Sequence, residues 1–241
     1  MTVTLGPCCV EGYLWNGTPS GSEIQLGELG CYVALPQIQK QTNTAILYIH
    51  DIFGFQAKNA RLLCDRMASQ SGIPVYMPDF FDGKCVGEPG NLKYELMEFV
   101  RMFPTQDNMK RVQDALDSLN ALGKTNVGAI GYCWGGKYSL HFGKLGLKAS
   151  AAAHPSLLEP EKDLAGITAP VLLLLAEKDQ MFNPIKQESL QILGKGPGLK
   201  VIDFAGTVHG FAVRGDEETV REARDKACSD AASFFDLHLN Q

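Results

Sequence analysis

Four apolar runs in this 241-residue chain each lead into groups that could hold or move a proton. Residues 45–50 (AILYIH) lead into Asp51-Ile52-Phe53-Gly54, and residues 127–132 (VGAIGY) into Cys133-Trp134-Gly135-Gly136. Residues 171–176 (VLLLLA) lead into Glu177, Lys178 and Asp179. Residues 199–204 (LKVIDF) lead through residues 205–208 into His209-Gly210-Phe211. A thiol, an imidazole and carboxylates are the parts of a nucleophile, a base and the group that orients the base.

The sharpest pattern is Gly131-Tyr132-Cys133-Trp134-Gly135, a G-x-S-x-G turn with Cys in place of Ser. A sharp strand-to-helix turn strains its middle residue, and side chains two positions before or after would collide with the neighbouring strand or helix. The thiol then stands at a helix N-terminus, where the dipole favours thiolate. The Trp134 N–H is placed to receive an oxyanion. Among five histidines, His209 follows a strand late in the chain, where a base belongs. His50 reads as a satisfied core histidine, and His141, His154 and His238 have weaker claims. Asp179 is preferred to Glu177 as the orienting acid, on the argument that side-chain alternation lets only one of them face the site.

These groups need a frame that gathers strand ends. Residues 31–35, 45–50, 75–77, 127–132, 149–153, 171–176 and 199–204 read as strands. The polar stretch 37–44 reads as a hairpin-type connection. Run 171–176 does not alternate, which fits a strand covered on both faces. Between the strands lie helical faces: Ala60, Leu63, Cys64 and Met67, then Met109, Val112, Leu116 and Leu119. A last helix carries Val220, Ala223, Ala227, Ala231 and Phe234, with acid at 216–218 near its start. Alternating strands and helices imply crossover units and one doubly wound, mostly parallel α/β domain over residues 1–241. In such sheets reactive groups collect beyond the carboxyl ends of the strands.

Composition narrows the function classes. Lys plus Arg is 22 against 27 for Asp plus Glu, a net charge of -5 with no basic run. A nucleic-acid partner or an anionic membrane surface is not expected. The longest strongly apolar stretch, 170–176, is too short to span a bilayer. Seven cysteines, an odd number, show no CxxC spacing, so neither a disulfide framework nor a zinc site is expected. The N-terminus does not read as a signal peptide, and Asn16-Gly17-Thr18 carries no weight as a glycosylation acceptor without one. The expected compartment is reducing and cytoplasmic. Oligomeric state is left open.

These residues resemble the dienelactone hydrolase family of α/β-hydrolases. The matching pieces are His50-Asp51-Ile52-Phe53-Gly54, Pro78-Asp79-Phe80-Phe81, Gly131-Tyr132-Cys133-Trp134-Gly135-Gly136, Asp179 and His209-Gly210-Phe211, spread over roughly residues 30–237. The N-terminal GPCC…EG stretch is similar to fungal members. The resemblance implies an α/β-hydrolase fold with few cap insertions. It implies Cys133 as nucleophile, His209 as base, Asp179 as its orienter, and Ile52 N–H as an oxyanion donor beside Trp134. It implies hydrolysis of a lactone or small ester, a carboxymethylenebutenolide-like substrate bearing a carboxylate. No metal or organic cofactor is expected, because the triad supplies nucleophile and base and no ligand cluster has metal spacing. Bacterial members have Glu where this chain has Asp51, a shorter acid that would modulate the thiol. Their substrate-carboxylate arginines match only loosely; Arg214 lies one residue late of one such position, and Lys84 lies near the other. A binding protein on the same fold and a general small-ester hydrolase are the alternatives. A thiol redox role is disfavoured, because Cys133 has no nearby resolving cysteine in the chain.

Overall fold

The computed structural model describes residues 12–215 and 218–240. The chain opens with an antiparallel hairpin, β1 (Ser22–Leu26) and β2 (Leu29–Ala34). Its two-residue turn places Gly27 at φ 61°, a conformation that costs glycine little. Then β3 (Thr44–Ile49), α1 (Lys58–Ser71) and β4 (Val75–Pro78) form a parallel crossover. Gly72 stops α1 in a left-handed cap, its N–H donating to the Ala68 carbonyl at 3.0 Å.

A short hairpin, β5 (Gly87–Glu88) and β6 (Asn91–Leu92), precedes α2 (Leu96–Arg101) and α3 (Thr105–Ala121). The remaining elements alternate: β7 (Asn126–Tyr132), α4 (Trp134–Phe142), β8 (Ala149–Ala153), α5 (Pro160–Leu164), β9 (Val171–Lys178) and α6 (Lys186–Leu193). β10 (Leu199–Val208), α7 (Phe211–Arg214) and α8 (Arg221–Leu239) complete the chain.

Eight strands make one sheet in the order β1-β2-β4-β3-β7-β8-β9-β10. From β4 to β10 every pairing is parallel; β1 and β2 are antiparallel at one edge. This is the doubly wound, mostly parallel sheet that the strand–helix alternation implies, in the α/β-hydrolase arrangement that the family resemblance implies. One expectation fails: segment 37–44 is not a hairpin. β4 inserts between β2 and β3, pairing antiparallel with β2 and parallel with β3. Sequence proximity favoured β2 beside β3, but the α1 crossover delivers β4 into that position.

Alternation within each strand feeds three apolar clusters. Ile46, Tyr48, Ile130, Tyr132, Leu172 and Leu174 pack with residues of α1 and α8. Ala45, Leu47, Ile49 and Ala129 pack with α3 and α4, while Leu173 and Leu175 meet α5 and α6. Residues 171–176 are buried on both faces, as their unbroken apolar run predicts. α8 seats against β7 at Gly128, where a β-carbon would lie 2.7 Å from the Phe235 ring. That helix starts at Arg221, and its Ala227, Ala231 and Phe234 are buried. Of the acids expected near its start, Asp216 and Glu217 lie outside the described residues, as do Cys8 and Cys9. No helix among the described residues is long and apolar enough to cross a membrane.

Candidate active site

Cys133 occupies the turn between β7 and α4 at φ 50° and ψ −113°. A non-glycine residue held there stores strain on the order of 1–3 kcal/mol, so its surroundings must over-determine it. They do. A β-carbon on Gly131 would overlap the Gly135 backbone in α4, and one on Gly135 would overlap the Ile49 carbonyl of β3. These are the two collisions that the glycine spacing anticipates. Cys133 N–H donates to the Ala153 carbonyl at 3.1 Å, and Gly136 N–H donates to the Cys133 carbonyl at 3.1 Å.

His209 follows β10, which runs past Phe204 through a register shift before Val208 pairs with Lys178. The opposing strand β9 ends at Lys178, and Asp179 comes next. His209 Nδ1 lies 3.0 Å from both Asp179 carboxylate oxygens, and both side chains are fully buried. Asp179 Oδ1 also accepts from the N–H groups of Met181 and Phe182, at 2.9 and 3.2 Å. The acid is therefore fixed by the turn before it orients the ring. Glu177 is exposed and its carboxylate accepts from Gly206 N–H at 2.6 Å, bracing the irregular end of β10. Strand alternation does not make this distinction, since residues two apart share a face in a strand; the end of β9 at Lys178 does. Asp179→Asn is expected to cost roughly 10²- to 10⁴-fold in kcat, by comparison with triad acids. Glu177→Gln should stay within about threefold, as expected for an exposed neutralisation. Steady-state kinetics on the two variants checks the order; an equal or larger loss from Glu177 would reverse the assignment.

The charges of this cluster are coupled. Burial opposes ionisation of Cys133, but the His209 imidazolium and then Arg214 outweigh it and hold the thiol below its ordinary range. Burial likewise opposes a charged His209, yet the Cys133 thiolate and Asp179 push its pKa up. The pair thus favours thiolate and imidazolium. His50 is the satisfied core histidine that its strand position suggests. Its Nδ1 lies 2.8 Å from the Asp51 carbonyl, its Nε2 accepts from Phe80 N–H, and burial lowers its pKa to about 4.

Asp51 does not hydrogen-bond the thiol among the described residues. Its carboxylate accepts from Phe53 N–H at 3.0 Å and from Arg214 Nε at 3.1 Å. Its charge disfavours the thiolate while that of Arg214 favours it. Arg214 is buried, its guanidinium 5.0 Å from the Phe53 ring centroid. It lines two cavities: one of ≈ 270 Å³ with Asp51, Phe53, Cys85 and Val213, and one of ≈ 360 Å³ with Tyr13, Val208, His209 and Phe211. Lys84 is not brought to either cavity. It is exposed, its ammonium 6.0 Å from the Phe103 ring centroid.

Trp134 is the first residue of α4, so its N–H has no intrahelical acceptor. Ile52 sits on the loop after β3, its carbonyl accepting from Val86 N–H at 3.0 Å. Ser156, which the sequence reading passed over, and His154, which it gave a weaker claim, belong to this cluster. The Ser156 hydroxyl is 3.6 Å from the Cys133 sulfur. His154, at φ 37°, packs edge-on against His209 with centroids 5.0 Å apart. Burial, then the like charge of His209, hold His154 neutral. Both follow β8, whose run ASAAA gives no hint of chemistry.

The dienelactone hydrolase family model matches residues 29–239, nearly the whole described chain. The chain belongs to the dienelactone hydrolase family. It is 31% identical over 240 residues to Hydrolase pyvD of Aspergillus violaceofuscus, covering 97% of each chain. It is 27% identical over 220 residues to a carboxymethylenebutenolidase homolog of Xenopus tropicalis, covering 88% of this chain and 87% of the other. The crystal structure of dienelactone hydrolase from Anabaena variabilis superposes with a TM-score of 0.65 at 18% identity, covering 91% of this chain and 97% of that one. At that identity the likeness speaks for the fold. Membership in this dienelactone hydrolase family makes the protein a carboxylic ester or lactone hydrolase.

Proposed function

We propose that the protein cleaves a lactone or small carboxylic ester through an acyl-enzyme on Cys133, with His209 as proton shuttle and Asp179 as its orienter. The observation that carries this reading is the thiol held on a strained turn, in electrostatic contact with the His209 of a buried Asp179–His209 pair. The Cys133 thiolate attacks the acyl carbon, forming the C–S bond, and the carbonyl π pair moves to oxygen. The N–H groups of Ile52 and Trp134 receive that charge. Collapse breaks the acyl C–O bond, and the leaving oxygen takes the imidazolium proton of His209. In a lactone the leaving oxygen stays tethered to the acyl group. Water then gives a proton to the neutral His209 as it attacks the thioester, and the thiolate leaves. The scheme calls on no metal or organic cofactor.

The substrate we infer is dienelactone-like, carrying a carboxylate near Arg214. A buried guanidinium binds a carboxylate by charge-assisted hydrogen bonds and offsets its desolvation. Because Asp51 already accepts from Arg214, a neutral small ester is the second reading, and a non-catalytic binding role the third. A panel of esters and lactones, with and without a free carboxylate, separates them. The expected kcat/KM for an acid exceeds that of its methyl ester by about three- to tenfold at low salt, and by less at high salt. Arg214→Lys, which keeps the charge but loses the planar fork, should bring the ratio toward one. A ratio favouring the methyl ester at both salts identifies a general small-ester hydrolase, and no turnover across the panel identifies a binding protein.

A further inference from the structure

The turn after β8 holds the nucleophile from two sides. Cys133 N–H donates to the Ala153 carbonyl, and Ser156 N–H donates to the Cys133 carbonyl at 3.0 Å. Pro155 closes against the first turn of α4, where a β-carbon on Gly136 would lie 2.7 Å from the Pro155 β-carbon. The backbone of residues 153–156 is therefore clamped to the strained residue at its own amide and carbonyl. That clamp fixes where the Ser156 side chain points. Ser156 is 2% exposed, and its hydroxyl lies 3.6 Å from the Cys133 sulfur, within reach of a sulfur hydrogen bond. A thiolate carries no proton, so in the charged state of the sulfur the hydroxyl must be the donor.

We propose that Ser156 is a positioning residue whose hydroxyl donates to the Cys133 thiolate in the resting site and loses that bond's strength as the sulfur acylates. On attack the sulfur's electron pair becomes the C–S bond and the negative charge passes to the carbonyl oxygen. A thioester sulfur is a weak acceptor, so the hydroxyl stabilises the resting thiolate more than it does the acylated sulfur. It keeps the sulfur ionised at lower pH while tempering its reactivity, since a thiolate's nucleophilicity falls with its pKa. The other charged or titratable groups around the sulfur are His209 after β10, Asp51 after β3, Arg214 in α7 and neutral His154 after β8. None of these supplies a hydroxyl donor, and Ser156 is the group that the clamp sets beside the sulfur.

The inference rests on Cys133 being the nucleophile, and the test reads the thiol itself rather than turnover. Thiolate absorbance of the full chain is titrated against pH, with Cys133→Ala subtracted as baseline. Ser156→Ala should raise the midpoint by about one pH unit, a tenfold loss of thiolate on the acid limb, as expected for a hydrogen bond to a charged group. Ser156→Thr, which keeps the hydroxyl, should return the midpoint to near wild type. At pH above both midpoints, the alanine variant should alkylate with iodoacetamide up to about threefold faster at Cys133, read by peptide mass spectrometry. A purely structural loss would slow that rate and leave the midpoint alone. If the alanine variant does not fold, Ser156→Gly carries the same comparison. An unchanged midpoint in a folded hydroxyl-free variant, or a threonine variant shifted as far as alanine, overturns the proposal. A wild-type thiol with an ordinary midpoint would instead overturn the nucleophile assignment on which it rests.

Discussion

Cys133→Ala is expected to lower kcat/KM by roughly 10⁴-fold or more, the scale seen when a triad nucleophile is removed. The size reflects the groups that remain. The buried Asp179–His209 pair, the Arg214–Asp51 pair and the two amides all persist, but no group is left to form the acyl bond. Residual rate can then come only from bound water and oxyanion stabilisation. The substitution removes one buried sulfur from a backbone held by glycines and by the 153–156 turn, so the fold should survive. Thermal unfolding of the purified variant checks this alongside the kinetics. Turnover near wild type in a folded variant would mean that another group does the chemistry.

His209→Gln is the second large effect, expected at roughly 10²- to 10⁴-fold, the usual size of general acid–base catalysis. Its signature is a pH shift as well as a loss. In the wild type, the imidazolium counters the burial that would otherwise hold the Cys133 thiol un-ionised. The wild-type acid limb of kcat/KM should therefore lie below the ordinary thiol range. With glutamine the thiol keeps the burial but loses the neighbouring cation, so its pKa rises and the acid limb of the residual activity moves up. On the alkaline side, wild-type activity should fall as His209, raised by the thiolate and Asp179, gives up the proton that the leaving group needs. A pH–rate profile reads both limbs. A residual activity with its acid limb unmoved would detach His209 from the thiol.

How much of this arrangement is legible in the sequence depends on what each residue answers to. The Cys133 turn is legible because its glycines answer to local collisions, with α4 at Gly135 and with β3 at Ile49. His209 is legible by position, since β10 leads to it. Asp179 is favoured in the sequence for a reason that does not hold; the end of β9, not alternation, separates it from Glu177. The insertion of β4 between β2 and β3 is not legible, because strand order depends on pairing across the whole chain. β1 escapes notice because SEIQL is mostly exposed at a sheet edge and carries no buried stripe. Ser156 is hidden, and His154 is left with a weak claim, because the alanine-rich strand before them does not show which strands lie beside it. Lys84 and Arg214 look equivalent as cations. Only the packing of Arg214 against Phe53 and Asp51 sets it apart from an exposed lysine.

In the proposed scheme the acyl group passes through the sulfur of Cys133. A slowly hydrolysed chromogenic ester, quenched in acid during the first turnovers and digested, reads this directly by mass spectrometry. The acyl mass is expected on the Cys133 peptide, rising with the burst of released alcohol, removed by hydroxylamine and absent from Cys133→Ala. Steady turnover with the Cys133 peptide unmodified throughout, and with Cys133→Ala keeping the same rate, would contradict it.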